Sequence, residues 1–307
     1  MRKKIEIWEV GPRDGLQNEL DLLETSAKIE LIAKLLKAGL KNIEITSFVN
    51  PKMVPQFYDA EDVLKHFKGF EDQGVVLSSL VPNVTGAKRA IESGARAVSV
   101  FMSASEAHNR ANVNMSIEDS LTQLGVVSRS IQEQIDFFRG YIVTTFGCPY
   151  QGEVPIESVL NVCRAYLEMG VQEISLGDTT GMANPEQVKK VIESVQREID
   201  GKARLAVHFH DTRGLGLANA YAAYESGITV FDASIGGLGG CPFAPGATGN
   251  IATEDLAHMF ELFGIDTGLD FDILREANDY LGTLLHKKLP AALGKTDPVW
   301  KFRKSLS

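Results

Sequence analysis

The chain has 307 residues, of which 44% are hydrophobic and 23% charged, the balance of a water-soluble, well-packed globular protein. A formal net charge of −9 argues against general affinity for nucleic acid, so any anionic ligand has to be met by local cations. No apolar run approaches a membrane span, the basic start runs into Glu6 and Glu9 rather than an apolar core, and the three scattered cysteines (Cys148, Cys163, Cys241) fit a reducing compartment, so the expected location is the cytoplasm.

Short β-branched runs alternate with helical patterns along the whole chain. In order, strands are predicted over residues 5–10, 42–47, 75–81, 97–101, 140–146, 171–176, 204–210 and 229–235. After the first strand, Ile29, Ile32, Ala33 and Leu36 make a helical stripe that stops at Gly39, a residue suited to the left-handed position beyond a helix. After the sixth, Asn184 caps a helix with Pro185 at its first position and Gln187 completing a capping-box-like pattern, and Val188, Val191, Ile192 and Val195 share one face. Strict alternation implies a parallel sheet, and eight units imply closure into a (β/α)8 TIM barrel; a doubly wound open sheet is the competing architecture. No linker divides the chain. Residues 1–307 are read as one catalytic domain, with the barrel over about 5–265 and an additional helical segment over 266–307 whose stripe Ile273, Ala277, Leu281 packs outside it.

In such a barrel the chemistry sits at the carboxyl ends of the strands. There the sequence places Arg13 and Asp14 in GPRDGLQNE, Glu44 within strand two, Asp178 in GDTTG, His208 and His210 at the end of strand seven, and Cys241 and Asn250 in GGLGGCPFAPGATGN. Each has a plainer reading. Arg13–Asp14 could form a turn with a local ion pair, Glu44 a barrel-interior ion pair, Asp178 and Asp211 loop anchors, and Cys241 a small buried residue. His66, His258 and His286 read as structural or solvated, while His108 lies in the long loop after strand four.

His208 and His210 are two apart on a strand and project to the same side. They can hold one metal ion or hydrogen-bond as a structural pair, and the segment alone leaves both open. Assembled with the Asp14 carboxylate and the Asn250 amide oxygen, they make a mixed nitrogen and oxygen shell suited to Mg²⁺ or Mn²⁺, with zinc as the alternative. The glycines around Cys241, stiffened by Pro242 and Pro245, read either as an irregular structural loop or as a lid carrying Cys241 to a substrate.

The motifs GPRDGLQNE, ITSFVNPKMVPQ, SLGDTTGMANP, HFHDTRGLGLAN and GGLGGCPFAPGATGN together resemble the 3-hydroxy-3-methylglutaryl-CoA lyases over residues 5–290. The Arg-Asp-Gly turn and the His-x-His strand are shared with isopropylmalate and homocitrate synthases, while the RDGLQNE and GGLGGCP forms are more specific. The resemblance implies a TIM-barrel metalloenzyme that cleaves (S)-3-hydroxy-3-methylglutaryl-CoA to acetoacetate and acetyl-CoA, with the metal on Asp14, His208, His210 and Asn250. It implies catalytic or supporting roles for Arg13, Glu44, Asp178, Cys241 and Glu254, and a homodimer; CoA is expected to lie across the rim, with Lys52, Asn83 and Arg110 as its contacts. Against the organellar animal enzymes, the sequence as read shows neither a Cys-Lys-Leu tail nor a leader, so organellar targeting is not expected. The competing functions are an acetyl-CoA-dependent condensing enzyme of the same group, a small-molecule aldolase, and a non-catalytic acyl-CoA-binding barrel.

Overall fold

In the computed structural model, which describes residues 4–239 and 249–303, the strand segments pair in parallel with their sequence neighbours and the last pairs with the first, closing a barrel. The strands are β1 (Glu6–Glu9), β2 (Asn42–Ser47), β3 (Val76–Leu80), β4 (Ala97–Ser103), β5 (Phe137–Val143), β6 (Glu173–Asp178), β7 (Arg204–Phe209) and β8 (Val230–Ala233). The open-sheet alternative is excluded. Among the described residues no helix is long and apolar enough to cross a membrane.

The helices follow from local pattern. In α1 (Thr25–Lys37) the buried face is Lys28, Leu31, Ile32 and Leu35, and Ala33 is exposed, so the stripe is rotated from the one predicted. Lys28 joins this otherwise apolar face with its ammonium drawn inward to Asp59 (2.8 Å), to the Gln56 carbonyl and over the Tyr58 ring. Gly39 adopts φ +104°, and a Cβ there would lie 2.4 Å from the Gly268 carbonyl oxygen, so both conformation and space require glycine. α2 (Ala60–His66) and α3 (Val84–Glu92) follow β2 and β3. α4 (Glu106–Val113), capped by Ser105, takes up His108, which is buried on a helix rather than carried in a loop, and α5 (Ile117–Ile131) completes the crossover. α6 (Ile156–Glu168) precedes β6. α7 (Pro185–Ile199) is as predicted: Asn184 accepts the Gln187 amide, and Val188, Val191, Ile192 and Val195 are buried, each contributing about 2 kcal/mol. α8 (Gly216–Glu225) and α9 (Thr253–Leu262) flank β8. α10 (Phe271–Leu284) buries Leu274, Ala277 and Leu281 and lies against α1, and α11 (Val299–Arg303) follows.

Strand β5 begins three residues before the predicted position and stops at Val143. It stops because Thr144, a β-branched residue, takes φ +60° and leaves the ladder. The early part was masked by Arg139, a charge in mid-strand that points into the barrel.

That arginine organises the barrel axis. Trp8 stacks on Phe137 with centroids 5.7 Å apart, and the Arg139 guanidinium lies 4.6 Å from the Trp8 ring and 4.7 Å from the Tyr141 ring. Arg139 is fully buried and donates to Glu173 (2.7 Å), Asp232 (2.5 Å) and the Tyr141 hydroxyl (2.6 Å). Aromatic rings therefore close the axis below, a charged layer sits above them, and the carboxyl ends of the strands lie above that.

Candidate active site

Beyond β1 the chain winds into a π-helical turn, Gly11–Gly15, in which the amides of Arg13, Asp14 and Gly15 all point to the Val10 carbonyl at 3.1, 2.7 and 3.2 Å. Such wide turns are frequent at functional sites. This one sets Arg13 and Asp14 side by side, with Arg13 Nη1 donating to Asp14 Oδ1 (2.7 Å). Arg13 Nε donates to Glu44, which also accepts from the Ser99 hydroxyl, and the guanidinium lies 5.5 Å from the Tyr141 ring. Glu44 is thus the interior ion-pair partner of its plainer reading, and the partner is Arg13 itself. The two carboxylates outweigh the effect of burial and raise the Arg13 pKa further.

His208 and His210 stand on the same side of the β7 end with their Nε2 atoms 3.2 Å apart, and those atoms lie 3.9 and 4.0 Å from Asp14 Oδ2. His208 Nδ1 faces Asp232 Oδ2 at 3.2 Å, which orients the ring and turns Nε2 toward Asp14. Burial alone would lower His208, but the Asp232 hydrogen bond and the nearby Asp14 and Asp232 carboxylates raise it. Burial, then the neighbouring His208, push His210 down to about 4. Asp14 is held well below the usual carboxylate range: burial is outweighed by Arg13, the two histidines and a hydrogen bond from Asn250.

One ligating atom from each of Asp14, His208 and His210 lies within 4.8 Å of the others. The donor set of two imidazoles and one carboxylate fits a divalent cation, with Nε2 of both histidines turned toward Asp14 Oδ2. Asn250 joins the group through a bridge between its backbone and that of His210. Its side chain, however, presents Nδ2, which donates to Asp14 Oδ2 (2.8 Å) and the Leu238 carbonyl (3.0 Å). Oxygen ligation would take a half-turn of this amide, whose two ends are nearly the same size.

A family model described as HMGL-like matches residues 4–281. The chain belongs to the HMGL-like family. It is 48% identical to the hydroxymethylglutaryl-CoA lyase of Bacillus subtilis over 94% of this chain and 96% of that protein. It is 45% identical to the 3-hydroxy-3-isohexenylglutaryl-CoA/hydroxy-methylglutaryl-CoA lyase of Pseudomonas aeruginosa, over 93% and 94%. It superposes with a TM-score of 0.90, at 43% identity and 96% coverage of both chains, on an HMG-CoA lyase from A. baumannii in complex with coenzyme A and 3-methylmalate.

The remaining predicted residues of this HMGL-like chain divide by position. Asp178 accepts the amides of Met182 (2.7 Å) and Ala183 (3.1 Å), so it anchors its loop; burial pushes its carboxyl up to about 6 against those bonds. Asp211 anchors its own loop through the Gly216 amide. Glu254, on α9, accepts the Gly236 amide at 3.0–3.1 Å and supports the turn after β8. Lys52, Asn83 and Arg110 lie exposed at the rim beyond β2, β3 and β4; the Asn83 side-chain oxygen caps α3, and Arg110 pairs with Glu106 (2.8 Å). Cys241 and its neighbours 240–248 lie outside the described residues.

Sequence reasoning missed Asp232, Arg139, Tyr141 and Glu9. The available signal was a charge inside an apolar strand: VFDA for Asp232, FFRGYIV for Arg139.

Two of the buried acids have a measurable consequence. Burial pushes Glu254 from 4.5 up to about 8, and Glu9 from 4.5 up to about 7 despite its bonds from Thr253, Ile235 and Gly11. Folded-state values above the unfolded ones mean that the proton is bound more tightly in the folded chain. The stabilisation is complete below about pH 4.5 and is lost as pH rises through 7 to 8. Glu254→Gln is expected to flatten the fall in urea stability between about pH 6 and pH 9; an unchanged slope would remove Glu254 as its source.

Proposed function

We infer that this chain is a hydroxymethylglutaryl-CoA lyase, cleaving (S)-3-hydroxy-3-methylglutaryl-CoA to acetoacetate and acetyl-CoA. The observation that carries the reading is the convergence of Asp14, His208 and His210 beside Arg13, in a chain alike over nearly its full length to lyases of that name.

In the reaction the C3 hydroxyl loses its proton, the C2–C3 bond breaks, and the electron pair passes into the enolate of acetyl-CoA, which is then protonated at carbon. Asp14, His208 and His210, with Asn250 after a turn of its amide, would hold a divalent cation, Mg²⁺ or Mn²⁺, that acidifies the C3 hydroxyl. The hydroxyl proton is assigned to Asp14 or, as the alternative, to His208. Arg13 is held by Glu44 and Asp14, and its permanent charge is assigned to stabilise the negative charge that develops on the thioester oxygen. Cys241 is assigned as proton donor to the enolate carbon on the family resemblance. Asp178 anchors the loop after β6, and Glu254 holds the turn after β8. Lys52, Asn83 and Arg110 are assigned to the CoA moiety from their place on the rim. The functional unit is taken to be a cytoplasmic homodimer.

Incubation with 3-hydroxy-3-methylglutaryl-CoA, Mg²⁺ and a reductant is expected to yield acetoacetate, EDTA to abolish it, and added Mg²⁺ or Mn²⁺ to restore it. The 3-isohexenyl thioester, run in parallel, reads the tolerance for a longer alkyl group. No acetoacetate, with free CoA released from acetyl-CoA and a 2-oxo acid, would assign the chain to the condensing enzymes instead.

A further inference from the structure

Glu9 ends β1, is completely buried, and has no place in the mechanism above. One oxygen, Oε1, accepts the amides of Gly11 (2.7 Å) and Ile235 (2.9 Å); the other, Oε2, accepts the Thr253 hydroxyl (2.6 Å). The three donors come from three separate segments. Gly11 opens the π-helical turn bearing Arg13 and Asp14, Ile235 follows β8, and Thr253 opens α9 three residues after Asn250. The approach is close enough to dictate sequence, because a Cβ on Gly11 would lie 2.6 Å from Glu9 Oε1 and 3.0 Å from Ile235. Glu254 holds the next amide along, that of Gly236. Burying a carboxyl is unfavourable unless its acceptors are filled, and here donors from all three segments fill them.

We propose that Glu9 is a positioning residue for the lyase reaction, its carboxyl group fastening the turn that carries Arg13 and Asp14 to the segments on either side of Asn250. Displacing that turn would move Arg13 and Asp14 together relative to the histidines, which stand on a different strand. The proposal rests on reading Asp14, His208 and His210 as a cation site.

The test uses Glu9→Ala, Glu9→Gln and Thr253→Val in the full chain. Two quantities are read: kcat and KM with 3-hydroxy-3-methylglutaryl-CoA, and Mn²⁺ affinity without substrate, from the paramagnetic resonance of free Mn²⁺. In Glu9→Gln the amide oxygen keeps both backbone donors and the amide nitrogen donates to Thr253, so the fastening survives. Glu9→Ala is expected to weaken Mn²⁺ binding about 10-fold and lower kcat on the order of 10- to 100-fold, with Glu9→Gln within about threefold of wild type on both. Wild-type Mn²⁺ affinity and kcat in Glu9→Ala, or Glu9→Gln as impaired as Glu9→Ala, overturns the proposal. Should Glu9→Ala not fold, Thr253→Val decides: reduced Mn²⁺ affinity at an unchanged melting temperature supports it, and unchanged affinity overturns it. A wild-type chain that binds Mn²⁺ yet makes no acetoacetate defeats the lyase reading alone, and the Mn²⁺ comparison among variants still stands.

Discussion

Arg13→Gln is expected to lower kcat at least about 100-fold, a loss of about 3 kcal/mol or more in transition-state stabilisation, with a much smaller change in KM. The guanidinium is held on one side by Glu44 and on the other by Asp14 and lies against the Tyr141 ring, so its position is set before substrate arrives. On the proposed role, charge that develops only as the C2–C3 bond breaks would be met by a group that needs no rearrangement, and the benefit would appear in kcat. Glutamine is neutral and lacks the planar fork. It also leaves the buried Glu44 carboxylate without its counter-charge, so a thermal melt must accompany the kinetics. Turnover within about tenfold of wild type, in a variant that melts normally, would remove Arg13 from the chemistry.

The second large effect is expected at Asp232. Its carboxylate accepts from Arg139 and from the Ser175 hydroxyl (3.0 Å) and faces His208 Nδ1. Asp232→Ala leaves the fully buried Arg139 with Glu173 as its acidic partner and His208 without its orienting acid. Breaking a buried pair in this way destabilises by about 3–5 kcal/mol, to be measured by urea unfolding. Divalent-ion affinity is expected to fall about 10- to 100-fold, to be measured by titration calorimetry on the fraction that remains folded. Asp232→Asn keeps the shape and tests the charge separately. Wild-type ion affinity in both variants would show that His208 is oriented without Asp232.

Much of this architecture can be read from pattern, because periodicity reports burial directly. The alternation of strands and helices, the α7 cap at Asn184 and the gathering of Arg13, Asp14, His208 and His210 at one rim all follow from which residues face inward and where strands end. The reading fails where a charge is buried. Lys28 lies unsignalled on the buried face of α1, and Arg139 hides the start of β5, since apolar periodicity treats a charge as solvent-facing. Asp232 and Glu9 were passed over for the same reason: each sits in an apolar strand, and its partners come from segments distant in sequence. The π-helical turn at Gly11–Gly15 has no periodic signature at all, because it depends on one carbonyl, Val10, receiving three amides.

The closure of β1 against β8 has one further consequence. Asp14 stands just beyond the first strand, whereas His208, His210 and Asn250 come from the last third of the chain, so the proposed ligands face one another across the seam where the sheet meets itself. A nascent polypeptide that has not yet added its final strand cannot assemble the full set. An ion held by these residues would act as a latch on the completed ring, its binding energy favouring the closed topology over any partly zipped intermediate.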